Sequence, residues 1–206
     1  MTNEEFLNLQ NRLKQTLKPC RFIHTLGVIE SAEQMARHFN IDNEKARVAA
    51  LLHDCAKNYT NEKMLDIARA AKLPLDEITL AEPQLLHGPV GAVVARQIYG
   101  IKDEAILSAI AYHTTGRENM QPLEKIIYLA DFIEPGRHYP GVESLREACK
   151  EDDLDEACLM AFSNTINYIN AIGGLIHPRT INARNALILK KKYQPLKGEK
   201  YRESGK

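Results

Sequence analysis

Several features are missing from this 206-residue chain, and each absence removes a class of protein. Net formal charge is zero, so no global field points to nucleic acid or to a membrane surface. No apolar run approaches the ~18 residues of a membrane span. The opening MTNEEF is acidic, with no apolar signal core. Cysteine is scarce: Cys20, Cys55, Cys149 and Cys158 show no CxxC spacing. They are expected to be reduced, mostly buried thiols, with Cys55 a small buried filler. Alternation of period two is absent, as are internal repeats and any linker long enough to split domains. A GxxxxGK[ST] loop and a GxSxG elbow are both lacking, which sets aside P-loop and serine-hydrolase chemistry. What is left is a soluble protein expected in the cytoplasm, with no membrane partner and no stable nucleic-acid binding.

Helical spacing, by contrast, recurs in every segment. Thr2 with Glu5 forms a capping-box pattern ahead of Phe6, Leu9, Leu13 and Leu17, and Pro19 is expected to stop that helix. Residues 20–39 resume it through Phe22, Ile23, Leu26, Ile29 and Met35. Asp42 can cap a third helix that runs into the stretch ARVAALLHDCAK at 46–57, and Thr60 or Asn61 a fourth. Residues 73–83, with Pro74 and Pro83, read as a connector. Further helices follow from LLHGPVG (85–91), after Asp103, after Pro122, near 142–150, from Asp153 to Ile172 and from Pro178 to Tyr193, with Gly173-Gly174 suited to a C-cap. The expectation is an all-α, single-domain fold of about nine or ten helices. A domain over residues 1–193 is followed by a basic, solvated tail over 194–206. Residues 190–206 hold seven Lys/Arg and two acids, a net of +5 that leaves −5 on the rest.

Three segments, ARVAALLHD, AILSAIAYH and IIYLADFI, are apolar almost all round, which marks buried helices. Each nevertheless carries His or Asp at its end or middle: His53 and Asp54, His113, and Asp131. One such residue is ordinarily satisfied by backbone or water. Four on three core helices, with His24 and His87 at suitable positions, are better explained by convergence on a cation. Uncompensated buried charges cost several kcal/mol each. Imidazole and carboxylate suit iron, manganese, zinc or, less well, magnesium, and the lack of cysteine argues against a structural zinc site.

The ordered set His24, His53-Asp54 and Asp131 resembles the metal-binding pattern of the HD-domain phosphohydrolase superfamily. RFIHTLGV, ALLHDCAK, LLHGPVGA, AIAYHTTG and YLADFIEPGR together resemble the bacterial YqeK family over roughly residues 20 to 180. Members of that family are symmetrical bis(5′-nucleosyl)-tetraphosphatases, which cleave diadenosine tetraphosphate to two ADP. The resemblance implies an HD-type phosphohydrolase domain with His24, His53, Asp54 and Asp131 as metal ligands. It implies one or two ions, usually iron, with manganese, cobalt or magnesium as alternatives. His87 and His113 would face a second metal or the phosphates. Lys57, Thr114 and Arg137 would bind phosphate or nucleotide, with catalytic roles for Lys57 and Arg137. Gly174, His177 and Arg179, in GLIHPR, would border the nucleotide. A homodimer is also implied.

The residue types fit that chemistry. Coordination lowers the pKa of water from ~15.7 toward ~7, giving a hydroxide nucleophile at neutral pH with no protein nucleophile. Arg137 offers a rigid fork for phosphate. Arg21 is balanced between substrate and a carboxylate partner. His177 is balanced between backbone support and the base or ribose. His38 and His138 are expected to be exposed, and Tyr112, Tyr128, Tyr139 and Tyr168 are more readily core than adenine platforms. Two other readings stay open. One is an HD phosphohydrolase of another nucleotide, whether a nucleoside monophosphate, a deoxynucleoside triphosphate or a guanosine tetraphosphate alarmone. The other is a metal-binding or RNA-associated module whose basic tail carries the function.

Overall fold

A computed structural model describes residues 1–193. Among them are eleven α-helices, one short 3-10 helix and no strand. The helices are α1 Asn3–Lys14, α2 Pro19–His38, α3 Asn43–Leu52, α4 Asn61–Ala70, α5 Glu77–Ala81, α6 His87–Gln97, α7 Glu104–Tyr112, α8 Pro122–Ile133, α9 Val142–Ala148, α10 Leu154–Ala171 and α11 Pro178–Tyr193. The 3-10 turn, Pro83–Leu86, leads directly into α6. Ten of the eleven helices match the periodic segments of the sequence. The eleventh, α5, lies in the proline-flanked connector. It has one turn and a cap, Asp76 accepting from the Thr79 amide at 2.7 Å, and is too short to show a period.

Local chemistry sets the ends of most helices. Thr2 and Glu5 make the reciprocal capping box of α1. Asp42, Thr60, Asp103 and Asp153 each accept first-turn amides, a contribution of about 1 kcal/mol apiece. Gly173 ends α10 at φ +67°. Pro19 behaves differently from expectation. Helix α1 frays four residues earlier, and Pro19 opens α2, where its missing N–H costs nothing.

The core is the packing of α2, α3, α6, α7 and α8 against one another, with α10 laid over α8 and α11 against α10. Helix α8 is buried along Leu123–Ala130, so the two charged residues of that stretch need partners. Glu124 accepts from Ser108, Arg117 and the Gln121 amide, and Lys125 pairs with Asp155. Lys190 and Lys191, counted with the basic tail in the sequence, pair with Asp155 and Glu156 and fasten α11 to α10. The tail over 194–206 lies outside the described residues. No helix of the described residues is long and apolar enough to cross a membrane. Cys55, Cys149 and Cys158 are buried free thiols, and Cys20 is an exposed one.

Candidate metal centre

The site lies where α2, α3, α6, α7 and α8 meet. Helix α3 ends at Leu52, with His53 as its C-cap and Asp54 beginning a run of turns. The helix therefore stops before Lys57, but the turn Lys57 N–H to Asp54 C=O, 2.9 Å, still brings Lys57 back to the site. His113 is the C-cap of α7, and His87 stands where the 3-10 turn becomes α6. His24 comes from α2 and Asp131 from α8.

Three of the four histidines are oriented in the same way. The Nδ1–H of His53 donates to the Ala50 carbonyl at 2.7 Å, that of His113 to Ile110 at 2.7 Å, and that of His87 to Gln84 at 2.5 Å. A carbonyl can only accept, so each Nδ1 carries the proton and each Nε2 is left as a lone pair facing the interior. The fourth, His24, uses a side chain instead: its Nδ1 lies 3.1 Å from Glu134 Oε1. All four Nε2 atoms thus turn toward Asp54, at 3.9 Å for His24, 3.7 Å for His53, 3.4 Å for His87 and 3.7 Å for His113. His24 Nε2 is also 3.1 Å from Asp131 Oδ1.

This arrangement fits a divalent cation on its own chemistry. The Nε2 atoms of His24 and His53 are buried without a hydrogen-bond partner, a costly state that a coordinate bond relieves. His87 and His113 bring two lone pairs to within 3.1 Å of each other, with the Thr114 hydroxyl 3.0 and 3.3 Å away. Two overlapping triads, His24–His53–Asp131 and His53–Asp54–His113, each place one donor atom per residue within 4.8 Å of the others. His53 belongs to both.

Electrostatics favour the ligand-competent forms of His53, His87, Asp54 and Asp131, but not of His24. Burial pushes His53 down to about 4 and His87 down to about 3, so both are neutral at pH 7. Burial works against ionised Asp54, but His53, His113 and His87 outweigh it and hold the carboxyl well below its usual range. Asp131 is likewise lowered despite burial, by His24 first and then His53 and Arg137. Burial opposes a charged His24 too, yet Asp131 and Glu134 raise it.

Around this centre stand three cations. Arg21 Nη1 is 3.3 Å from Asp54 Oδ2, which gives it a carboxylate partner. Lys57 Nζ is 3.2 Å from His87 Nε2, and burial lowers its pKa. Arg137 donates from Nε to the Asp131 carbonyl at 2.8 Å and pairs with the Asp131 carboxylate. His177 is engaged elsewhere. It lies 3.1 Å from Asp76 Oδ2 and accepts from the Arg179 amide, tying α5 to the start of α11. Arg179 lies over the Tyr112 ring at 5.6 Å, Gly174 is exposed, and Thr180 bonds the Thr115 carbonyl. Through Arg179 and Thr180 the start of α11 therefore packs against the end of α7 and the loop that follows it. Tyr128 is fully buried and Tyr168 exposed; His38 and His138 are exposed as expected.

Two residues escaped the sequence reading. Glu134 is 95% buried and stands in the sequence only within YLADFIEPGR; a single carboxylate three residues before Arg137 carries no periodic signal. Arg146 lies on α9, the helix expected near 142–150 with no role attached to it. Its guanidinium donates to the carbonyls of Ile133, Glu134 and Arg137, closing the end of α8 and holding the loop that carries Glu134 and Arg137.

Comparison with known proteins agrees with the geometry. The HD domain model matches residues 21–136. A protein of Halalkalibacterium halodurans named bis(5′-nucleosyl)-tetraphosphatase, symmetrical, is 42% identical over 87% of this chain and 95% of its own. One of Bacillus subtilis with the same name is 40% identical over 85% and 94%. A crystal structure from Clostridium acetobutylicum, described as a predicted HD superfamily hydrolase involved in NAD metabolism, superposes with a TM-score of 0.87 at 45% identity, covering 90% of this chain and 97% of that one. With the helical frame, the His–Asp pair and these relatives together, the chain belongs to the HD-domain family, and within it to the YqeK-type group of symmetrical bis(5′-nucleosyl)-tetraphosphatases.

Proposed function

We propose that the protein hydrolyses diadenosine tetraphosphate symmetrically to two ADP, using a divalent metal held by His24, His53, Asp54 and Asp131, with His87 and His113 facing a second ion or the phosphates. The observation that carries this reading is the convergence of four imidazole Nε2 atoms and two ionised carboxylates, ringed by Arg21, Lys57 and Arg137. Relatives 40–42% identical bear the corresponding name.

A bound cation supplies Lewis acidity and acidifies a coordinated water near neutral pH. The protein's own groups do the rest. Neutral His53 and His87 offer lone pairs where protonated rings would repel a cation. Lys57 and Arg137 face the side on which a polyphosphate would approach and can neutralise its charge. Arg137 presents the fork that suits phosphate oxygens. The Thr114 hydroxyl, beside both His87 and His113, is placed to donate to a phosphoryl oxygen. Arg179, against Tyr112, and the neighbouring His177 and Gly174 border the nucleotide in this reading. Iron is the metal we assign, in a cytoplasmic enzyme, and a homodimer is the assembly.

The test is a substrate panel with metal-loaded protein. Diadenosine tetraphosphate is expected to yield ADP as the only nucleotide product. Equal AMP and ATP would exclude symmetrical cleavage. Faster turnover of NAD, a nucleoside monophosphate, a deoxynucleoside triphosphate or guanosine tetraphosphate would transfer the assignment to that substrate.

A further inference from the structure

Among the four site histidines, His24 alone lacks a backbone carbonyl to set its ring. The contact at its Nδ1 is the carboxylate of Glu134, 3.1 Å away, and the second oxygen of that carboxylate accepts from the Gly136 amide at 2.6 Å. Glu134 is buried at the C-terminal end of α8, the helix that also carries Asp131. One helix end thus holds both the carboxylate facing His24 Nε2 and the one facing its Nδ1. Its room comes from α2. A Cβ built on Gly27, three residues after His24, would lie 2.5 Å from Glu134 Oε2 and 3.3 Å from Pro135 Cδ. Gly27 has an ordinary helical φ, so space rather than backbone freedom accounts for a glycine there, in a helix where alanine would be the better former.

We propose that Glu134 is a positioning residue that fixes the tautomer and ring direction of His24, and that Gly27 is the recess that lets its carboxylate reach the ring. This rests on the metal reading above and adds to it a residue outside the ligand set. With Glu134 in place, the His24 proton stays on Nδ1 and the Nε2 lone pair points at Asp131 and His53. Without it, either nitrogen can carry the proton and the ring loses its reference. Partners of this kind typically contribute ten- to a hundredfold in metal affinity.

The experiment is Mn2+ binding to the full chain, followed by the electron paramagnetic resonance of the free ion, in wild type, Glu134→Ala, Gly27→Ala and the double variant. Each single change is expected to weaken Mn2+ binding about ten- to a hundredfold, and the double variant is expected to be no weaker than Glu134→Ala. Once the carboxylate is gone, the alanine methyl has nothing to displace. A merely structural role would give multiplying losses. In zinc-loaded protein with 15N-histidine, the Nδ1–H signal of His24 is expected to disappear in Glu134→Ala and to persist for the other three rings. Wild-type Mn2+ affinity in Glu134→Ala, or losses that multiply in the double variant, would overturn the assignment. If Glu134→Ala does not fold, unchanged affinity in Gly27→Ala alone overturns it. A wild type that binds no divalent cation overturns the metal reading, and this inference falls with it.

Discussion

Asp54 faces all four site histidines and Asp131 groups with His24 and His53, and the two carboxylates are held differently. Asp54 is enclosed by imidazoles and touched by one arginine; Asp131 has Arg137 on both its carboxylate and its carbonyl. Asp131→Ala removes a partly buried anion and leaves His24 Nε2 facing only the more distant Asp54, so metal content and hydrolysis are expected to fall together. Metal analysis of the purified variant checks this, and full metal content would remove Asp131 from the ligand set. Arg137→Ala is expected to act on both functions unequally. Its kcat/KM falls because phosphate loses a fork, while metal affinity weakens only by the smaller amount that a less restrained Asp131 entails. From the sequence alone, Arg137 has phosphate-binding and catalytic roles and no part in holding Asp131. Its second role was hidden because a hydrogen bond from a loop arginine back to a helix carbonyl depends on how the loop folds, not on spacing.

At the scale of elements, the loop after α7 does the most with the fewest residues. His113, Thr114, Thr115 and Gly116 supply a ring at the metal site, a hydroxyl, a carbonyl that docks Thr180, and the bend that permits all three. Gly116 sits at φ +65°, and a Cβ there would lie 2.5 Å from Phe162 Cζ. Gly116→Ala therefore meets backbone strain and a clash with α10, and is expected to destabilise the fold by about 2 kcal/mol or more. Lower thermal stability with loss of turnover is the expected result; an unchanged melting temperature would show that α10 yields freely. The helix pattern was legible because its causes are local: caps, apolar period, and proline at first turns. Helix α5 was not, since five residues show no period. The role of α9 was not either, because Arg146 reads as surface charge until α8 ends beside it.

Over the whole molecule, the balance of protons at the site makes stability depend on pH. In metal-stripped protein, His53 and His87 stay neutral until about pH 4 and 3, whereas in the unfolded chain they charge near 6.5. The unfolded state thus binds more protons between those values, and stability falls as pH drops from about 6.5. His24, raised in the fold, gains its stabilisation as pH falls toward 6.5 and keeps it below, an opposing contribution from one group against two. Urea unfolding after chelation is expected to show a lower midpoint at pH 5.0 than at 7.5; an equal or higher midpoint contradicts the neutral state of those two rings. The all-α class and the convergence of six site residues could be read from the sequence because buried His and Asp on apolar helices are conspicuous by cost. The partners that orient them could not. Glu134, Gly27 and the three carbonyls act through tertiary approach, which leaves no mark on composition or period.

The bonds from His53, His87 and His113 to carbonyls three residues back carry a further consequence, in the currency of disorder. Each ring loses its rotamer freedom when its helix end forms, not when an ion arrives. The ordering entropy of three ligands is therefore charged to folding, and cation capture keeps more of its gross coordination energy. Helices α3 and α7 also end at these rings, so their partly negative C-termini lie beside the site and favour positive charge. The centre acts as a rigid socket already biased toward a cation, with His24 as the one ring set by a side chain instead of a carbonyl.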